Sequence, residues 1–417
     1  MQHHAQASQS PGTGATTQFA LWTLTSLFFM WGFITAMNDI LIPHLKALFE
    51  LSFTKAMLVQ FCFFGAYFLI SIPGGWLVSK IGYQRGIGVG LLTAACGCVM
   101  FIPSAYMEQY WMFLASLFVL ASGITILQVA ANPLVTVMGP AETAESRLTM
   151  TQAFNSLGTT VAPVIGGILI FSAHETESVV RADSVVTPYL GLALILVAMA
   201  VVMVKITLPS PRQENIELAA PTDSSVLKHR HLALGVVGIF MYVGAEVAIG
   251  SFLVNYFGLP SVMGLTEGQA STFIAYYWGG AMVGRFIGAV LMQKVNPGRL
   301  LAFNAMMSCV LIVISVTGSG ALSMWSILGV GLFNSIMFPT IFSLALKGLG
   351  DQTPKGSGML CLAIVGGAIV PVLQGLIADN IGLQISFLLP VVCYVYIAFY
   401  GLVGSVPVTQ AASKENQ

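Results

Sequence analysis

Apolar residues run through this chain in long blocks, each closed by charge, proline or clustered glycine, at about 20–46, 56–79, 86–104, 109–138, 148–172, 188–208, 231–257, 269–293, 300–318, 322–346, 357–379 and 383–406. About 20 apolar residues are enough for a helix to cross a bilayer, so the pattern predicts twelve transmembrane helices. Only one connection is both long and charged. It runs from Pro209 to Arg230 and holds Arg212, Glu214, Glu217, Asp223, Lys228, His229 and Arg230. It divides the helices six and six. The expected organisation is a polar, disordered cytoplasmic tail over 1–18, a six-helix bundle over 19–208, a cytoplasmic linker over 209–230, a second bundle over 231–406 and a cytoplasmic tail over 407–417.

Composition agrees with the pattern. The chain has 417 residues, of which 56% are hydrophobic and only 8% charged, with a mean hydropathy of +0.86. A soluble domain carries about 25% charge, so there is too little polar surface here to face water. Lys+Arg and Asp+Glu both number 16. With no net charge and no basic stripe, nucleic acid is excluded as a partner. The six cysteines lie inside apolar runs without metal-ligand spacing and read as small buried hydrophobes.

Positive charge orients the chain, because Lys and Arg near helix ends stay on the cytoplasmic side. With the N-terminus inside, twelve of them fall there: Lys80, Arg85, Arg147, Lys205, Arg212, Lys228, Arg230, Lys294, Arg299, Lys347, Lys355 and Lys414. Lys46, Lys55 and Arg181 fall outside, and Arg285 lies within the eighth span. Both termini are therefore expected in the cytoplasm.

The halves also repeat. Lys80-Ile-Gly-Tyr-Gln-Arg85 after the second span matches Lys294-Val-Asn-Pro-Gly-Arg299 after the eighth, and the fourth and tenth spans each carry a mid-span proline, Pro133 and Pro339, 206 residues apart. Parallel repeats of six helices are one transporter architecture, with substrate held between the bundles near the midplane. An all-α membrane protein of two pseudo-symmetric six-helix bundles is thus the expected fold.

Ionisable side chains within a bilayer are costly and mark function. Asp39 lies in the first span beside Asn38. Stripped of water, its carboxylate can take a proton or a hard cation, which would couple occupancy to an ion gradient. Glu246 lies in the seventh span, about 20 Å past the basic cluster at its start, among glycine and alanine that leave room for a ligand. Arg285 can snorkel toward the cytoplasm and reads as a gate, together with Lys80 and Arg85 of the loop after the second span.

Uncharged polar residues complete the set. Gln128 and Asn132 share a face one turn apart, and Gln152 and Asn155 lie three apart. Amides offer both donors and acceptors, as a ring of sugar hydroxyls requires. Asn255 adds another amide. Tyr277 and Trp278 follow in the eighth span, Trp278 being the preferred platform for the apolar face of a pyranose. Gly74-Gly75, Gly166-Gly167, Gly279-Gly280 and Gly366-Gly367 suit close, slidable helix contacts.

Asn38-Asp39-Ile-Leu-Ile-Pro43, Gln60-Phe-Cys-Phe-Phe-Gly-Ala-Tyr-Phe68, Ala130-Ala-Asn-Pro133, Gln152-Ala-Phe-Asn-Ser-Leu-Gly158, Tyr242-Val-Gly-Ala-Glu246 and Phe338-Pro-Thr-Ile-Phe-Ser343, followed by Leu346-Lys-Gly-Leu-Gly350, resemble the fucose permease family of the major facilitator superfamily, and most closely its bacterial glucose/galactose branch. The resemblance covers nearly the whole chain. It implies a twelve-helix sugar symporter, monomeric, in the bacterial inner membrane, driven by an ion gradient. It places Asp39 on the family's coupling aspartate and Asn155 on a substrate-contacting asparagine. Gln128 departs from the family pattern, which has glutamate there, and Ser79 stands where the superfamily's loop often has Asp.

The expectation is a cation-coupled hexose symporter with no cofactor beyond the coupling ion. Asp39, with the Gln128 and Asn155 carbonyls, would hold Na⁺, preferred over H⁺. Asn38, Gln128, Asn132, Gln152, Asn155, Glu246, Asn255, Tyr277 and Trp278 would contact the monosaccharide. A proton-coupled symporter of fucose or N-acetylglucosamine stays open, as does a passive channel or a sugar-sensing receptor. An enzyme is disfavoured because all six histidines lie in tails or near span ends.

Overall fold

The computed structural model describes residues 12–49, 58–171, 186–206 and 226–407. Within those ranges, the side chains of 12–18, 38–48, 58–60, 163–164, 166–171, 267–268 and 271 fall outside the description. Regular structure among the described residues is helical, without strands. The first six helices are α1 Gly12–Leu48, α2 Leu58–Ile81, α3 Tyr83–Met107, α4 Tyr110–Val137, α5 Ala144–Phe171 and α6 Val186–Lys205. The next three are α7 Arg230–Gly258, α8 Glu267–Leu291 and α9 Pro297–Thr317. Three interrupted helices follow, α10 Gly320–Leu346, α11 Gly350–Ile381 and α12 Leu383–Gly404. Among the described residues, eleven of these helices contain an apolar stretch long enough to span a membrane.

The helix ends follow from local chemistry. The Lys80–Arg85 loop shrinks to one residue, Gly82, whose φ of +83° is open to glycine and lets α2 turn directly into α3. Asn296 caps α9 by accepting from the Arg299 N–H at 3.1 Å, and Pro297 fills the first helical position. Thr266 and Gln269 form a reciprocal capping box at the start of α8. The last carbonyls of α6, which have no in-helix donors, are met by Gln84 Nε2, at 2.6 Å from both Met203 O and Ile206 O.

Two sets of helices pack within themselves. In the first, α3 packs on α4 and α6, α2 on α4, and α1 on α5; in the second, α7 packs on α10, α11 and α12, and α9 on α10 and α12. Outward-facing Trp22, Trp76, Leu194, Val204, Leu332 and Val372 leave an apolar exterior, as a lipid-facing surface requires.

The two sets meet along α2–α11, α5–α8, α5–α10 and α4–α11. At the α2–α11 crossing a Cβ on Gly75 would lie 2.9 Å from Pro354 O, and one on Gly358 would lie 2.6 Å from Ser71 O. Only glycine permits that approach. Of the paired glycines, Gly75 and Gly367 serve contacts between the sets, Gly367 facing the Phe64 ring. Gly280 and Gly366 instead pack within the second set, against α10 and α7. The side chains around Gly166-Gly167 lie outside the described residues.

Helix α1 starts at Gly12, so residues 12–18 of the expected disordered tail are helical backbone. Most of the expected linker, 209–225, and residues 1–11 and 408–417 of the tails lie outside the described residues.

Candidate functional site: a polar seam between two bundles

Several of the polar residues singled out from the sequence converge near the seam. In the first bundle, α2, α4 and α5 form a buried amide cluster. Gln128 Nε2 donates to the Tyr67 hydroxyl, and Gln152 Nε2 donates to Asn132 Oδ1 at 3.4 Å. Gln128 Oε1, Asn132 Nδ2 and Thr149 Oγ1 are buried without a partner among the described residues. An unsatisfied buried polar atom costs about 1–3 kcal/mol, so these groups are open to a polar partner. Asn155 Nδ2 is already engaged, donating to Phe28 O at 2.9 Å and holding α5 against α1.

In the second bundle, charge is paired. Tyr242 Oη, one turn before Glu246 on α7, donates to Glu246 Oε1 at 2.7 Å, and Arg285 Nη2 of α8 lies 3.9 Å from the same oxygen. Glu246, expected to contact sugar, is held between a phenol and a guanidinium, because an unpaired buried charge would be far more costly.

Arg285 reaches further. Its Nε donates to Ser335 O at 3.0 Å, and its Nη1 donates to Ser156 Oγ of the other bundle. Arg285, expected as a gate, thus makes a contact that joins the halves.

Tyr277 does not line the seam. It is fully buried, its hydroxyl accepting from Asn334 Nδ2 at 2.7 Å and facing Glu246 O at 3.4 Å. Tyr394 Oη of α12 donates to Asn334 Oδ1 at 2.6 Å. With its hydroxyl occupied inside the bundle, Tyr277 positions α8 and has nothing left for a sugar. Asn255 is exposed near the far end of α7. At 100° per residue it lies half a turn round from Glu246, so the two do not form one site.

Trp278, the expected platform, lies beside α7. Met282, Arg285 and Ala289 mark the face of α8 turned to α5: Thr160 Oγ1 lies 3.7 Å from Met282 Sδ, and Ser146 Oγ donates to Ala289 O at 2.5 Å. Trp278 is one turn beyond Met282 on that face, 43% exposed, with its ring beside Gly250 of α7.

The remaining expectations divide. Lys80 stacks over its neighbour Trp76 at 3.7 Å and Arg85 is exposed; among the described contacts, neither reaches the other bundle. Asn38 and Asp39 lie on α1, and their side chains fall outside the described residues. Sequence reasoning missed Ser146, Ser156, Ser357, Asn334 and Gln374. Gln374 is buried on α11 with neither amide atom partnered among the described residues, and a glutamine within a long apolar run was the available signal.

These features define a class: two helical bundles joined by a polar seam, in the manner of a membrane transporter. The Major Facilitator Superfamily model matches residues 23–360, and the chain belongs to that family of transporters, not to an enzyme family. It is 58% identical over 403 residues to a protein of Brucella abortus biovar 1 (strain 9-941) named glucose/galactose transporter, covering 96% of this chain and 97% of the relative. It is 34% identical to the L-fucose-proton symporter of Escherichia coli (strain K12), covering 92% of each. A crystal structure titled as the Major Facilitator Superfamily transporter FucP in the outward conformation superposes with a TM-score of 0.85 at 33% identity, covering 93% of this chain and 98% of that one.

Proposed function

We propose that the protein carries a hexose of the glucose/galactose type across the bacterial inner membrane by alternating access, together with a cation. The observation that carries this reading is the seam itself. At the end bearing Lys80, Arg85, Lys294 and Arg299 the bundles are bolted together, while Trp278 stands exposed one turn beyond the Thr160–Met282 contact. By the distribution of positive charge that end is cytoplasmic, so the protein faces outward in this state. The relatives' names support hexose as substrate.

Coupling rests on Asp39, in the C-terminal third of α1. With Gln128 in place of a carboxylate and Glu246 neutralised by Arg285, Asp39 is left as the group that binds the ion. Na⁺ is preferred to H⁺, because the unpartnered Gln128 Oε1 offers a hard oxygen. Sugar and cation together stabilise an occluded state that neither stabilises alone, a reciprocal coupling. The test is counterflow in proteoliposomes with D-glucose, D-galactose, L-fucose and N-acetylglucosamine, with and without Na⁺ at fixed pH. Exchange of glucose and galactose that needs Na⁺ supports the reading. Exchange that tracks pH alone moves it to a proton symporter.

A further inference from the structure

Pro133 and Pro339 occupy matching places in α4 and α10. Proline has no N–H, so the carbonyl four residues before it loses its in-helix partner. In α4 that carbonyl belongs to Val129, and in α10 to Ser335.

One freed carbonyl is taken up across the seam, and the other by the arginine whose guanidinium crosses it. Ser357 Oγ of α11 donates across the seam to Val129 O at 2.8 Å. Arg285 Nε donates to Ser335 O at 3.0 Å, which fixes the guanidinium so that its Nη1 reaches Ser156 Oγ in the first bundle. Ser156 and Ser357 are buried. Helical serines and threonines ordinarily bond the carbonyl a turn back, as Ser122 does to Phe118 O at 2.7 Å and Thr125 to Ala121 O at 2.8 Å. Ser357 bonds across the seam to a residue of the other bundle.

We propose that the two mid-span prolines create the anchor points of a latch that holds this end closed, with Ser357 and Ser156 as its positioning residues. The proposal rests on the alternating-access reading. Each anchor is a single carbonyl that its own helix does not use, so the latch can break and remake without unwinding either helix. One bond joins α4 to α11 and the other α8 to α5, placing one bolt on each side of the seam.

The chain carries its own reporter. Cys361, one turn after Ser357 and three residues past the Gly358 contact with Ser71 of α2, is buried, so separation of α11 from α2 exposes it to water. The experiment is the rate of N-ethylmaleimide labelling of purified protein retaining Cys361, with Cys62, Cys96, Cys98, Cys309 and Cys393 each changed to Ala. Ser357→Ala is expected to speed labelling roughly fivefold, the shift that loss of one ordinary hydrogen bond allows, and Ser357→Thr to restore the slow rate. Ser357 is one turn before Cys361 on the same helix, so its loss also changes the surroundings of the thiol. Ser156→Ala, on the other side of the seam, must therefore speed labelling too. Pro133→Ala returns Val129 its in-helix donor, and the Pro133→Ala, Ser357→Ala double variant should label no faster than either single one.

Unchanged labelling in Ser156→Ala overturns the latch, as do effects of Pro133→Ala and Ser357→Ala that multiply. So does a rate increase accompanied by a lowered unfolding temperature that Ser357→Thr fails to rescue. Labelling that responds to D-glucose or D-galactose in the chain with an intact latch keeps the transport reading in place whatever the latch variants do.

Discussion

Arg285 Nη2 lies 3.9 Å from Glu246 Oε1, and each side chain is 14% exposed. This pair ties α7 to α8 within the second bundle, while Arg285 also reaches Ser156 in the first. Neutralising one partner leaves the other charged in a poorly hydrated place. Glu246→Gln should destabilise the protein by about 2 kcal/mol, below the 3–5 kcal/mol of a fully buried pair because some water remains. Adding Arg285→Gln should recover part of that loss. Thermal unfolding of the single and double variants measures it, and strictly additive losses would contradict the pairing.

The α2–α11 crossing has no room for a side chain. A Cβ on Gly358 would stand 2.6 Å from Ser71 O, a backbone atom that cannot step aside alone. Gly358→Ala should therefore pry this end apart, slowing sugar exchange by roughly tenfold or more, about 1.4 kcal/mol at the least. Tritiated-sugar counterflow checks it; a variant exchanging at the normal rate would show that the crossing is not rebuilt in each cycle.

Trp278 is expected to stack on the sugar ring. Trp278→Ala should raise the half-saturating hexose concentration about tenfold, and Trp278→Phe by less, since a smaller aromatic face remains. Equal effects of the two substitutions would point to a purely steric role.

Glu145 lies in the first turn of α5, ahead of the apolar span. Burial at the closed end raises its carboxyl above the usual carboxylate range, while Lys347 of the other bundle and Arg147 partly oppose the shift. The closed state then binds this proton more tightly than an open, hydrated one. Closure is favoured below the ordinary pKa and weakens as pH rises through the raised one. The ratio of Cys361 labelling in the native side chain to that in Glu145→Gln should climb with pH over that window. A flat ratio would remove Glu145 from the closing equilibrium.

The helices were legible because a bilayer demands uninterrupted apolar length. The predicted span 109–138 is Tyr110–Val137 in the structure, and 231–257 is Arg230–Gly258. Misjudged ends share a cause: Lys80 and Arg85 look like a loop, yet Gly82 alone makes the turn. Polar residues deep in the spans could be found one by one, but their partners could not. Ser357 bonds a carbonyl 228 positions away, and Tyr277 turns inward to Asn334, 57 positions on. Such pairings depend on helix phase and on how two bundles meet, which composition and spacing do not encode. The matched prolines were visible; that they release Val129 O to Ser357 across the seam and Ser335 O to the arginine that crosses it was not.

Uphill uptake tests the central claim most directly. Proteoliposomes carrying the native chain or Asp39→Asn are given an inward Na⁺ gradient at equal pH, or a pH gradient without Na⁺, and internal D-glucose and D-galactose are followed over time. The native chain should accumulate hexose above the external concentration under the Na⁺ gradient, and Asp39→Asn should only equilibrate it. Hexose that never rises above the external level under either gradient, or uphill uptake that survives Asp39→Asn, would contradict the account.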